Sequence, residues 1–309
     1  VEGAVIRLLA ARLVQIALVT ALLSFAAFLL IGLMPGDPIE MAIAGDPRLS
    51  SEDAARLRAL HGLDQPLLAR YLAWAGGVIE GRFGHSRLFA LPVAALLWPA
   101  LIGTLELLGL ALLLAGVCGV GLGAVAALRP RLGPLVQGFA LFAQAVPAFW
   151  LGMLLIILFA VHLGWLPAGG GEGGWRALVL PVATLAFANL AAYARHGAAA
   201  LSAALEEPHI RTARAKGAGE RRVLLRHALP NAAVPLLTIA ALDAGALVSG
   251  ALIAETVFAR PGMGKLIYDA VMGSDFNLAL IALLLVAVVT MLATLAADLA
   301  QRWLDPRIA

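Results

Sequence analysis

Charge-free apolar runs of about 20 residues recur along this chain. Between them lie segments where charge, proline and glycine gather. A hydrocarbon core takes about 20 apolar residues per helical span. Six runs meet that length: 13–34, 107–128, 135–162, 177–194, 234–254 and 278–297. The fifth is interrupted only by Asp243. The first run is longer than the ~7–15 residues of a signal-peptide core, so it reads as a retained helix. The pattern predicts an all-α membrane protein with six transmembrane helices as one domain over 1–309. An even number of spans puts both termini on one side.

Two segments between spans are long enough to fold. Residues 35–99 open with Pro35-Gly36-Asp37-Pro38, a turn cluster. Ser50-Ser51-Glu52-Asp53 follows as a helix start, then an amphipathic run through Tyr71, Leu72, Trp74, Ala75, Val78 and Ile79. These predict a small helical external lobe after the first span, the alternative being a surface-lying loop with interfacial aromatics. Residues 195–229 are the most charged stretch. There Glu206-Glu207-Pro208 starts a short helix, since proline fits a first turn and carboxylates favour the N-terminus. Gly217 stops it. A second helix is expected from Glu220 to about Leu229, with Pro230 and Asn231 separating it from the fifth span.

Composition supports the bilayer as solvent. Of 309 residues, 62% are hydrophobic and only 13% charged, with mean hydropathy +0.93. A soluble domain carries about 25% charged residues. With both termini inside, thirteen of the 22 basic residues fall in inner segments, and six of the other nine sit in the long 35–99 segment. Long translocated segments count little toward orientation. The termini are therefore expected in the cytoplasm. The net charge of +3 carries no basic stripe with interleaved aromatics, so no nucleic-acid partner is indicated. A single cysteine, Cys118, excludes an intrachain disulfide.

The run Ile210-Arg211-Thr212-Ala213-Arg214-Ala215-Lys216-Gly217, with His227-Ala228-Leu229-Pro230-Asn231 after it, resembles the cytoplasmic coupling loop of bacterial ABC-importer permeases. It is most similar to the dipeptide/oligopeptide/nickel branch. Other matches stand in order along the chain: Pro35-Gly36-Asp37-Pro38, Gly62-Leu63-Asp64-Gln65-Pro66, Pro147-Ala148-Phe149-Trp150, Gly164-Trp165-Leu166-Pro167, Glu255-Thr256-Val257-Phe258, Pro261-Gly262-Met263-Gly264 and Asp305-Pro306-Arg307-Ile308. Departures occur at Gly81-Arg82-Phe83-Gly84-His85-Ser86, at Ala198 and at Pro208-His209.

The resemblance implies a permease subunit in the bacterial cytoplasmic membrane. It implies a homologous permease partner, two cytoplasmic ATPase subunits and an external substrate-binding protein, with lipid around the spans. ATP and Mg would be bound by the ATPases and no cofactor by this chain. The cargo it implies is di- or oligopeptides, with nickel or a metal chelate as the alternative. ATPase coupling falls on Glu206, Arg211, Thr212, Ala213, Arg214, Ala215, Lys216 and Gly217. The residues agree independently: small Ala213 and Gly217 permit close approach, and the flanking cations provide steering. A solvated basic loop that merely holds topology would explain the arginines. It would not explain the proline start, the small positions and the glycine stop together.

Other chemistry is poorly represented. Arg260-Pro261-Gly262-Met263-Gly264-Lys265 lacks the first glycine and the final Ser/Thr of a phosphate-binding loop. Gly84-His85-Ser86 is not a nucleophile elbow. The six histidines show no metal-ligand spacing. Asp243 reads either as a translocation-path carboxylate or as a helix-interface hydrogen-bond partner. Glu255, ending the same span, reads as interfacial. A stand-alone secondary transporter or channel would need intramembrane ions or inverted repeats; only Asp243 qualifies and no repeat is evident. An intramembrane enzyme would need paired catalytic groups at membrane depth, and none is evident.

Overall fold

The computed structural model describes residues 2–32, 65–171 and 173–304. Among them the chain is helical, and its elements follow the apolar runs. We number them α1 (Glu2–Gly32), α2 (Leu67–Ile79), α3 (Val93–Leu128), α4 (Gly133–Ala145) and α5 (Ala148–Leu155). Then come α6 (Trp175–Glu206), α7 (Pro208–Ala215), α8 (Glu220–Val223), α9 (Leu229–Val257), α10 (Met263–Met272) and α11 (Phe276–Leu304). By length and composition α1, α3, α6 and α11 each suffice to cross a bilayer, and α4 with α5 forms one bent pair that also passes.

Several boundaries differ from the sequence expectation. The 135–162 run is not one rod. It breaks between α4 and α5 at an angle of 94°. Pro147 has no N–H to give the helix and disfavours helical backbone at Val146, which is extended here, at φ −79° and ψ 120°. After α5 the chain continues as a wider π-helical turn over Ile156–His162. The helix of the second span starts at Val93, so 93–99 is helical and continuous with α3; Pro99 is accommodated inside the helix. The lobe's calls on 35–64, including the Ser50 helix start, lie outside the described residues, as does the 305–308 match.

The helix of the fourth span does not end at 194. α6 runs on to Glu206, because residues 195–206 are mostly alanine and other good helix formers. It stops where Glu207 turns extended (ψ 144°) ahead of Pro208. Nor do Pro230 and Asn231 separate a second helix from the fifth span. α8 leads through a π-helical turn, Leu224–Ala228, straight into α9. Pro230 sits in the first turn of α9, where its missing N–H costs nothing. α10 is a helix that the sequence reading left as loop.

The most extensive packing is α3 against α6. A stripe of small residues lets the backbones close: a side chain on Gly123 would meet the Ala198 nitrogen at 2.6 Å and the Ala194 oxygen at 2.8 Å. This is the close approach by which membrane helices associate, since lipid provides no hydrophobic drive between them. By contrast α1 is peripheral. It packs on α2 and α11. Its attachments include Arg12 on Asp298 (2.6 Å), Ser24 on Tyr71 (2.8 Å) and Phe25 and Phe28 around the Tyr71 ring. Large apolar side chains such as Leu18, Ile102, Leu113 and Val161 lie exposed. Such a surface requires lipid or another protein as its solvent.

Candidate functional site

The 195–229 segment folds as a braced short helix. Ile210 of α7 is fully buried. It enters a core made by Leu201 and Ala204 of α6, Val223 of α8, Ala228, and Ala232 and Leu236 of α9, with Val120, Ala124 and Ala127 of α3 packed against it. One apolar anchor therefore fixes α7 to the ends of three long helices. At about 25 cal/mol per Å², burying a side chain of this size is worth roughly 1.5–3 kcal/mol.

The helix stop is a Schellman motif. The Gly217 N–H donates to the Arg214 carbonyl (2.9 Å) and the Ala218 N–H to the Ala213 carbonyl (3.1 Å). The motif needs a left-handed residue, and Gly217 has φ +79° with open space around its α-carbon. Arg214 then reaches across the turn to α8. Its Nε and Nη2 donate to Glu220 Oε1 and Oε2 at 2.9 and 3.0 Å. This two-pronged bond holds the Glu220 carboxyl below its ordinary range and raises Arg214 further. Asn231 on α9 closes the far side, donating to the His227 carbonyl at 2.8 Å and lying 3.3 Å from His209 Nε2.

The residues named from the sequence divide as follows. Arg211, Thr212, Arg214, Ala215, Lys216 and Gly217 are exposed, and Ala213 is half-buried. The Thr212 hydroxyl donates to the Pro208 carbonyl (3.2 Å). Glu206 ends α6 and, with Arg129, Ser202, Arg214 and Glu220, lines an open cleft of about 740 Å³. Asp243 lies at the midpoint of α9, and its side chain is outside the described residues. Among the described residues no three His, Cys, Asp or Glu come together as metal ligands.

A second constellation lies at the opposite end of α9, and the sequence reading missed it. Glu255, expected to be interfacial, is completely buried. Its Oε1 accepts the Thr104 hydroxyl of α3 at 2.5 Å. Its Oε2 accepts the N–H groups of Gly264 and Lys265, at 2.7 and 3.2 Å, in the first turn of α10. Thr104 Oγ1 in turn accepts the Met263 N–H (2.8 Å). The carboxylate thus occupies the positive N-terminal end of α10. Any side chain on Gly262 would overlap this carboxylate, and one on Gly264 would overlap the backbone of Leu252. Arg260, almost buried, adds an ion pair to Glu106 of α3 at 2.8 Å. The signal was present in the sequence: a glutamate ending an apolar span, followed by the glycines of Pro261-Gly262-Met263-Gly264. Glycines that near a buried acid mark close backbone approach.

Comparison with known proteins decides what this architecture is. The family described as "Binding-protein-dependent transport system inner membrane component" matches residues 119–309, and the corresponding N-terminal membrane component matches residues 5–90. The chain belongs to this permease family. It is the membrane subunit of a binding-protein-dependent importer and a multi-pass protein of the bacterial inner membrane. The permease is 35% identical to the probable peptide ABC transporter permease y4tP of Sinorhizobium fredii, over 96% of this chain and 97% of that one. It is 33% identical to the oligopeptide transport permease AppB of Bacillus subtilis, over 93% and 94%. It is 36% identical to the probable D,D-dipeptide transport permease DdpB of Escherichia coli, over 94% of each. In fold it is similar to the inward-facing MetNI methionine ABC transporter, with a TM-score of 0.58 at 22% identity over 69% of this chain and 98% of that one.

Proposed function

We propose that this permease lines half of a peptide path and that α7 is the surface through which ATP hydrolysis drives it. The path lies between this subunit and a homologous permease subunit. Two cytoplasmic ATPase subunits carry ATP and Mg, and an external binding protein delivers di- or oligopeptides. Six spans with both termini in the cytoplasm place α7 inside and α10 outside. The peptide cargo rests on the relatives, which are named for peptide, oligopeptide and D,D-dipeptide transport.

The observation that carries this reading is the build of α7. One face is pinned by Ile210 into the ends of α3, α6 and α9, while Arg211, Thr212, Ala215 and Lys216 stay exposed. An exposed polar face on a rigidly seated short helix is what a docking partner can push on. Alternating access then follows as rigid-body motion of the packed helices. The test is ATPase activity and peptide uptake of the purified complex, with and without loaded binding protein. Ala213→Trp and Gly217→Val should insert normally, because the segment lies outside the bilayer. Stimulated hydrolysis should fall roughly 5- to 100-fold, as overpacked contacts do. Full stimulation in both variants would remove α7 from the ATPase interface.

A further inference from the structure

α3 and α9 each touch both constellations. Near α7, Val120, Ala124 and Ala127 of α3 and Ala232 and Leu236 of α9 share the Ile210 core. At the other end, Thr104 of α3 and Glu255 of α9 are bonded directly to each other at 2.5 Å. At 1.5 Å per residue the nodes stand about 30 Å apart along both α3 and α9. Two rods joined at two nodes form a closed frame. The node near α7 is apolar packing, which has no preferred direction. The far node is a buried, geometrically exact hydrogen-bond set and cannot slide without stranding its donors.

From this frame we infer that Thr104 and Glu255 are positioning residues for transport. Their bond keeps the far ends of α3 and α9 in register, so that motion received at α7 reaches the α10 end of the bundle. Three further contacts brace the node. The Arg260 N–H donates to the Glu255 carbonyl at 2.8 Å, which turns the chain after α9. The Arg260 side chain ties that turn back to Glu106 on α3. Gly170 donates its N–H to the Phe258 carbonyl at 2.8 Å, bringing the loop after the α4–α5 pair onto the same turn. Neither Thr104 nor Glu255 touches the α7 surface, so their effect on coupling travels through the rods.

This rests on the function proposed above, and the test separates the two. Reconstituted complex is assayed for peptide taken up per ATP hydrolysed, alongside the amount of assembled complex. Thr104→Val keeps the shape and removes the hydroxyl; Glu255→Leu keeps the volume and removes the acceptors. Both should hydrolyse ATP in response to loaded binding protein while uptake per ATP falls at least roughly fivefold. Thr104→Ser and Glu255→Gln retain a hydroxyl and an acceptor and should recover most of the ratio. A wild-type ratio in Thr104→Val overturns the inference. So does a loss of uptake strictly proportional to lost assembly, or the absence of recovery in Thr104→Ser. If the wild-type complex takes up no peptide, the proposed function fails instead; crosslinking α3 to α9 through cysteines at 108 and 251, which share a core next to the node and leave Thr104 and Glu255 in place, then still reads the register. A crosslink kept on nucleotide addition with Thr104 present and lost in Thr104→Val upholds the inference, and an equal crosslink in Thr104→Val overturns it.

Discussion

The two ends of α9 are held by opposite physics. At the α7 end an apolar side chain, Ile210, fills a core of alanines and leucines, and the polar groups face outward. At the α10 end a buried carboxylate collects a hydroxyl and two backbone N–H groups, and glycines clear the space for it. Apolar packing is non-directional and degrades gradually. A buried hydrogen-bond set is directional and fails sharply when one member is removed. The permease therefore has a tolerant end at α7, the proposed docking surface, and an intolerant end at Glu255.

The largest expected effect comes from breaking the intolerant end. Glu255→Leu leaves Thr104 and two N–H groups without an acceptor, at a cost of at least about 3 kcal/mol. Thermal unfolding of the detergent-purified protein measures it. A melting temperature within a degree of wild type would show that the node is not structural.

At the tolerant end, Ile210→Ala should cost about 2–4 kcal/mol and Ile210→Val only about 1 kcal/mol. A graded pair of values there, against an abrupt loss in Thr104→Val, is the signature of the difference. Equal losses in Ile210→Val and Thr104→Val would erase it.

Gly217→Ala should cost about 1–2 kcal/mol, all of it from holding an L residue at φ +79°, because nothing contacts the added carbon. Hydrogen exchange should show faster opening of 208–218 and unchanged protection around 255–266. Loss of protection at both would mean that the two ends are a single cooperative unit.

The smallest effect concerns the Arg214–Glu220 staple, which is exposed and screened. The Glu220 carboxyl is lowered in the folded protein by its bond to Arg214, so its contribution is present above the ordinary carboxylate range. It is lost as pH falls through the lowered value. Protection of the α7–α8 turn, corrected for intrinsic exchange, should decline slightly below about pH 4.5. In Glu220→Gln it should be flat over that window. A decline of equal size in the variant would assign it to another group.

Much of this was legible in the sequence because some signals are local. The apolar runs marked the long helices, since a membrane span is a matter of length and composition. The Pro208 start and the Gly217 stop of α7 were readable because a proline in a first turn and a glycine beyond a last turn act on their own backbone. Breaks set by tertiary context were not. Pro147 and Pro230 look alike as residues, yet one bends the chain by 94° and the other begins α9 without interruption. The difference lies in what precedes each: an extended Val146, or a π-helical turn that continues the helix.

The sequence by itself determined that this chain lives in a bilayer, roughly where its long helices lie, and which short helix carries the run that resembles the family's coupling loop. Hydropathy and helix-end chemistry are written within a few residues of where they act. Only the tertiary structure decided that Glu255 faces inward and not toward the membrane boundary, and that its partners are Thr104, 151 positions earlier, and the first turn of α10. A carboxylate ending an apolar span has the same local pattern in either environment. Its role depends on donors brought from another helix, and no local rule contains that distance.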